Sequence, residues 1–403
     1  MQKKTFFQTL LDFDDNAFRR LIAISIAIVT LLTAVLAYLQ SDAGARDDQA
    51  NRDGMRYALE TFGQQVSGDA RVNFDYNVAY QAYYEYLLLS NSASNREQED
   101  AALRYQTLAD ETVLLSPMLQ SPYYDPAGSE EPDVARYTSD IYTVQITALL
   151  EKYLAASAVK DAWDYKANTY IIHITLLAIS LFLLGLATTV SSAWTRWFLA
   201  ASGLAVALVG VGWAAVTFAK PVFDLRQQGN AIQDYALGVG LSEQDLNEEA
   251  IEAFDRAIEA YPQYANAYSA RAWAYYELGD YAMAASDLEA ATAAGDKSAS
   301  TAGDLAYMYY LVGEYQQSLQ ASERALQASP DELWVRFDRA LTLLAAGQGD
   351  ESRAEYERGM KLAADQVAQA RQEGGEPPSY LWQALTDAAD ALDVALFSLE
   401  AGL

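Results

Sequence analysis

The sequence predicts an all-α chain: three transmembrane helices, a helical-bundle insertion between the first and second, and a C-terminal α-solenoid. Three observations carry this. Residues 231–366 repeat with a period of about 34 residues, the mark of stacked helix–turn–helix units. Three long runs are apolar and almost free of charge. Between the first and second runs, residues 41–168 show apolar side chains at helical spacing.

Composition narrows the function. The chain has 403 residues, enough for two or three domains, and a formal net charge of -28. Nucleic acid is therefore a poor partner, because like charges repel and no basic stripe is present. The acidity reads as a solvated surface, with a docking face for a basic partner as the alternative. No cysteine and a single histidine remove disulfides, thiolate zinc sites, cysteine nucleophiles and any two-histidine triad. The 28 tyrosines can pack their rings in helices and leave the hydroxyl to water or a partner.

Residues 1–20 form an N-terminal tail with Lys3, Lys4, Arg19 and Arg20. Its Asp12–Asn16 stretch lacks the glycine and distal glutamate of a calcium loop and reads as helix capping. Residues 21–40 contain no charge and are long enough to cross about 30 Å of hydrocarbon, so they read as a retained anchor rather than a cleaved signal peptide. In 41–168, Asp42–Gln65 extends that helix into water. Tyr76, Tyr80, Tyr83 or Tyr84, and Leu87 recur at helical spacing as a core stripe. Ala101, Leu103, Leu108 and Leu115 mark another helix, Ser116–Pro132 a break, and Ile141–Leu154 a helix leading into the next span. The expected result is a bundle of about four helices.

Spans 169–190 and 195–219 follow, joined by the turn Ser191–Arg196, so they form an antiparallel hairpin with Tyr170, Trp194 and Trp197 at its ends. Gly203 with Ala207, and Gly210 with Ala214, allow a neighbouring helix to approach closely, within the chain or in a homo-oligomer. His173 is an ionisable group inside the second span. It is weighed as a haem or chlorophyll ligand against a bond to water or a neighbouring helix. The basic tail favours a cytoplasmic N-terminus in a bacterial cytoplasmic membrane, with both soluble regions extracytoplasmic. Two spans separate those regions, so they share one side in either orientation.

The repeats divide as 231–264, 265–298, 299–332 and 333–366. Their eighth positions are Gly238, Ala272, Ala306 and Ala340; their twentieth are Ala250, Ala284, Ser318 and Ser352; their twenty-seventh are Ala257, Ala291, Ala325 and Gly359. Pro262 and Pro330 stand at the thirty-second, where the other two copies carry Asp296 and Ala364. This register resembles the tetratricopeptide repeat (TPR) family. The resemblance implies that the first helix of each pair lines a concave groove through its second, fifth, ninth and twelfth positions. Here those include Tyr235, Gly303 and Phe337 at the fifth, Trp273, Tyr307 and Leu341 at the ninth, and Tyr276 and Tyr310 at the twelfth, with Trp334 at a second position. The lysine and asparagine with which some relatives clamp a terminal carboxylate are missing from these sites. Residues 367–403, with Leu381, Leu385, Leu392, Leu396 and Leu399 on one face, read as capping helices or a dimer contact.

The function this implies is a non-catalytic, membrane-anchored scaffold, assembly factor or accessory subunit. It would hold a protein partner, such as part of an integral membrane complex, in an aromatic and aliphatic groove. The alternative is a structural or pigment-binding subunit acting through its spans. No cofactor is expected. The carboxylates form no recognisable catalytic constellation, and neither a phosphate loop nor a metal-ligand cluster is present in the sequence.

Overall fold

The computed structural model describes residues 15–126 and 131–372. All regular structure among the described residues is helical. These residues fall into two units. One reaches to Gly63 and includes Leu149–Gln227; the other comprises Gln64–Ala148 and the described residues from Gln228 onward.

The first unit is built on α1 (Asp15–Phe74), α5 (Val144–Thr189) and α6 (Ala193–Ala219). All three helices contain stretches long and apolar enough to cross a membrane. Each buries a side chain at every seventh position: Ile22, Val29, Leu36, Ala43 and Ala50 on α1, Tyr170, Leu177 and Leu184 on α5, and Ala200, Ala207 and Ala214 on α6. A seven-residue spacing keeps one seam of a helix facing its neighbours. On α6 the seam also contains Gly203 and Gly210. A methyl group on Gly203 would stand 3.1 Å from Leu184 and from the Ser180 carbonyl oxygen; one on Gly210 would stand 3.4 Å from Leu176. The Gly203–Ala207–Gly210–Ala214 face thus packs against α5 of the same chain. At the far end of α6, the buried Lys166 ammonium donates to the Lys220 carbonyl oxygen at 2.5 Å. It caps a helix terminus whose carbonyls would otherwise lack donors.

Two predicted boundaries shift. The bundle was expected over 41–168, but the first unit retains α1 up to Gly63 and α5 from Leu149. The hydrogen-bond ladder of a helix does not stop where its apolar run stops, and α1 continues unbroken to Phe74. The tail before Asp15 and the expected caps beyond Gln372, including Leu381 to Leu399, lie outside the described residues.

In the second unit the bundle comprises α2 (Gln81–Ser94), α3 (Glu99–Val113) and α4 (Val134–Thr138), with wider π-helical segments at Asp75–Tyr80 and Ser139–Thr143. Tyr80, Tyr83, Tyr124 and Tyr137 are buried, with Tyr83 edge-on to Tyr124 at 5.8 Å and Tyr123 edge-on to Tyr137 at 5.0 Å. The tyrosine stripe is core, as its spacing suggests, and Tyr84 points out. Burial pushes the Tyr83 phenol up to about 12. Asp75 is fully buried, accepting a hydrogen bond from Tyr137 and pairing with Arg71 at 2.8 Å. The Ser116–Pro132 break is not empty, because Met118 and Leu119 plug the bundle.

Four helix pairs complete this unit: α7 (Ala231–Ser242) with α8 (Asn247–Ala260), α9 (Ala265–Glu277) with α10 (Tyr281–Ala293), α11 (Ala299–Leu311) with α12 (Tyr315–Ala328), and α13 (Leu333–Ala345) with α14 (Gly349–Gln372). Ala250, Ala257, Ala284, Ala291, Ala325 and Ala340 are fully buried between helices. The bundle touches the first pair: Ser139 donates to the Gly240 carbonyl oxygen at 2.8 Å, and a methyl on Gly240 would overlap Ser139 and Val144.

Within each pair the first helix ends in the same backbone motif. The Asp280 amide reaches back to the Tyr275 carbonyl, Glu314 to Tyr309, and Gln348 to Leu343, at 2.8–2.9 Å. The preceding residue must then be left-handed, and Gly279, Gly313 and Gly347 supply φ of 79°, 84° and 78°. In the first repeat Asp245 takes this place with φ 59°. A side chain there costs about 1 kcal/mol relative to glycine. Asp245→Gly should therefore raise the thermal midpoint of the detergent-solubilised protein, whereas Gly313→Ala should lower it; circular dichroism melts check both.

Candidate functional site: an aromatic row on the first helices

The first helices bring four of the expected groove residues together and send the others elsewhere. Trp273 lies edge-on to Tyr276 at 5.2 Å, Tyr276 approaches Tyr307 at 6.1 Å across the repeat boundary, and Tyr307 stacks with Tyr310 at 6.2 Å. These are ninth- and twelfth-position residues of the second and third repeats. Centroid spacings of this size are those of favourable aromatic pairs. Tyr281 and Tyr315, from the start of each second helix, extend the row at 5.6 and 6.3 Å. They follow their repeat's left-handed glycine by two residues, a signal that was legible in the sequence.

The fifth positions behave differently. Phe337 is buried against Tyr356, and a methyl on Gly359 would overlap its ring, so it belongs to the core of its own pair and not to a groove. Tyr235 packs on Phe254 and Tyr264 at 5.9 and 5.1 Å. Gly303 is occupied from the next repeat: a methyl there would run into the Trp334 indole and Val335. Trp334 is fixed in turn by donating from Nε1 to Glu332 at 3.1 Å. Leu341 packs on the terminal core around Leu333, Ala340 and Ala363. Fifth, ninth and twelfth positions share one helical face, so these fates follow from what stands opposite each residue and not from its place in the turn.

Trp273 remains 42% exposed, although its row-mate Tyr307 is half-buried. Burial, a hydrogen bond with Tyr276 and the nearby Asp338 carboxylate hold the Tyr307 phenol above its ordinary range. One turn before Tyr307 on α11 sits Asp304, half-buried. Burial first, and the negative charge of Asp296 second, push its carboxyl up to about 6. Asp296 shows the opposite balance. Burial opposes its charge, but donors from Thr301 and the Ser298 amide hold it below the usual range.

His173 is fully buried on α5, edge-on to Trp213 at 4.9 Å. Neither ring nitrogen has a hydrogen-bond partner among the described residues. Tyr170 lies 6.0 Å from the same ring. Among the described residues no three histidine or acidic side chains converge as a metal site.

Residues 253–285 match the tetratricopeptide repeat family. That match runs from α8 through α9 into the start of α10. Among solved structures, the chain is similar to MamA (18% identical, 42% of this chain and 96% of that chain, TM-score 0.34). It is also similar to MamA residues 41 to the end from Desulfovibrio magneticus RS-1 (16%, 46% and 96%, TM-score 0.33). A third is YrrB, a TPR protein with an unusual peptide-binding site (20%, 44% and 94%, TM-score 0.34). No curated protein matches the chain.

The raised Asp304 carboxyl links the site to stability. A carboxyl that is harder to ionise when folded favours folding fully below its unfolded value of 3.8, and that advantage disappears as pH rises through about 6. At about 1.4 kcal/mol per unit, reduced for solvent screening of a side chain that is only half-buried, Asp304→Asn should stabilise the protein by roughly 2 kcal/mol at neutral pH. Thermal midpoints of variant and wild type should converge as pH falls towards 4.

Proposed function

We propose that this TPR array is a membrane-anchored, non-catalytic scaffold that holds a protein partner on its first-helix face. The observation that carries the reading is the aromatic row from Trp273 to Tyr310, which crosses a repeat boundary and leaves an indole exposed. Aromatic rings bury large area at little conformational cost, which makes them frequent anchors of binding energy. Among the described residues, the bundle's hydrogen bond to the first repeat ends at Gly240, outside the row.

The anchor in this reading is α1, α5 and α6. Their lipid-facing positions would be the apolar side chains the helices do not pack, such as Ile24, Leu31, Phe182 and Leu208. The chain then acts as an accessory subunit or assembly factor that keeps its repeats at a membrane surface. A bacterial cytoplasmic membrane with the N-terminus inside is the orientation favoured by Arg19 and Arg20.

Two measurements test the two halves. The protein should stay with the membrane pellet after alkaline carbonate extraction; recovery in the supernatant would end the anchoring argument. After mild solubilisation, Trp273→Ala/Tyr307→Ala should lose at least one protein that co-purifies stoichiometrically with wild type. An unchanged set of companions would remove the row from the binding site.

A further inference from the structure

At the end of the first unit where α6 stops, one cation is buried without a counter-charge. Lys166, on α5, is 7% exposed. Its ammonium donates to the Lys220 carbonyl oxygen at 2.5 Å and to that of Phe218 at 3.5 Å, which takes two of its three hydrogens. The acids of this region are engaged elsewhere: Asp42 pairs with Arg46, Asp161 with Lys160, and Asp53 and Asp224 with Arg226. Among the described residues no carboxylate pairs with Lys166. Carbonyl oxygens solvate an ammonium but leave its charge in place, and a buried charge without a counter-ion is costly.

Two further cations stand close by. The Arg46 guanidinium lies 4.8 Å and the Lys166 ammonium 5.1 Å from the centre of the same Trp163 ring, so the two charges share one indole. Lys220, whose carbonyl accepts from Lys166, is itself exposed. Of these three cations, Arg46 alone has an acid partner among the described residues. An apolar groove of about 450 Å³ opens at the same end, between α1 and α6. Leu32, Leu36 and Leu39 form one wall, and Val211, Ala214 and Phe218 the other. Phe218 joins the two features: it lines the groove, and its carbonyl oxygen is the one 3.5 Å from the Lys166 ammonium. On α1, Leu39 and Arg46 are seven residues apart and therefore on one face.

We propose that this groove holds one anionic phospholipid, its phosphate taking the third hydrogen of the Lys166 ammonium beside Arg46 and Lys220, and one acyl chain lying between α1 and α6. The proposal rests on the membrane-anchored reading above and names the lipid class. Basic pockets between spanning helices suit anionic headgroups. A zwitterionic headgroup carries a cation that would meet Arg46 and Lys220. The apolar side chains of a partner helix would fill the groove but leave the Lys166 charge unanswered. The cations at this end also run against the orientation that Arg19 and Arg20 favour, and a bound phosphate gives them a role apart from topology.

The test uses full-length protein in detergent, supplied with phosphatidylglycerol or phosphatidylcholine of identical acyl chains and read by native mass spectrometry. Phosphatidylglycerol should stay bound, one per chain, on the order of tenfold more tightly than phosphatidylcholine. Lys166→Gln should bring that ratio close to one. Lys166 also caps α6, so Arg46→Gln, in the middle of α1 and with a melting curve like that of wild type, gives a second reading and should lower the ratio severalfold. Ala215→Trp, placed on the exposed wall of the groove, should weaken both lipids. An undiminished ratio in both charge variants overturns the proposal. Equal retention of the two lipids by wild type overturns it too, while resistance to carbonate extraction keeps the anchor standing; release by carbonate ends both. Displacement of phosphatidylglycerol by inorganic phosphate, with Ala215→Trp without effect, would assign the site to a free anion and overturn the lipid. A membrane polypeptide that co-purifies with wild type and is lost in Ala215→Trp, with phosphatidylglycerol unaffected, would give the groove to a partner helix and also overturn it.

Discussion

Close approach of helices at regularly spaced small side chains is the constraint on which this structure depends. In the first unit the spacing is seven residues, and Ala200, Ala207 and Ala214 meet Leu177 and Leu184 along one seam. In the repeats the spacing is that of the whole helix pair, so that Ala250 and Ala284 recur at equivalent sites with no exposed surface. Each backbone contact of this kind gathers dispersion contacts that a larger residue would prevent. Where the small residue is glycine, the facing group is a ring or a branched side chain: Phe254 over Gly238, Phe337 over Gly359, Leu184 over Gly203. Large and small alternate across the interface, which is how a helical array reaches interior density without strain.

Much of this was legible in the sequence because it depends on periodicity. The apolar runs lie in three long helices, and the chain from Ala231 to Gln372 forms four helix pairs. The site was only partly legible. A family pattern assigns four first-helix positions to one face, but it cannot tell which large side chain is drawn into a gap left by a glycine elsewhere. Phe337 is captured by the space at Gly359, and Trp334 by the space at Gly303, each more than twenty residues away in sequence or in the neighbouring repeat. Trp273 and Tyr276 have no such gap opposite them and remain in the row. Domain limits blurred for a related reason: hydropathy marks where a helix changes surroundings, whereas contacts mark where it changes neighbours. On α1 and α5 these points differ.

The excess of acid is managed locally. Most carboxylates of the array either face water or meet an arginine on an adjacent helix, and Arg271 alone serves acids from both α8 and α10. Such bidentate contacts order neighbouring repeats as much as they stabilise them. In the bundle the solution is different, with Asp75 buried between Arg71 and a tyrosine hydroxyl. Asp304 follows neither scheme, and burial and the charge of Asp296 both oppose its ionisation.

The indole of Trp334 resting on Gly303 has a consequence for how this array can change. Stacked modules are commonly thought of as interchangeable, so that one can be duplicated, dropped or shuffled. Here the third module carries a notch cut for a projection on the fourth, and the equivalent residues of the preceding modules, Tyr235 and Ser269, offer no matching notch. Order is therefore written into the joint itself. Any rearrangement of the series would have to recut both sides of that joint together.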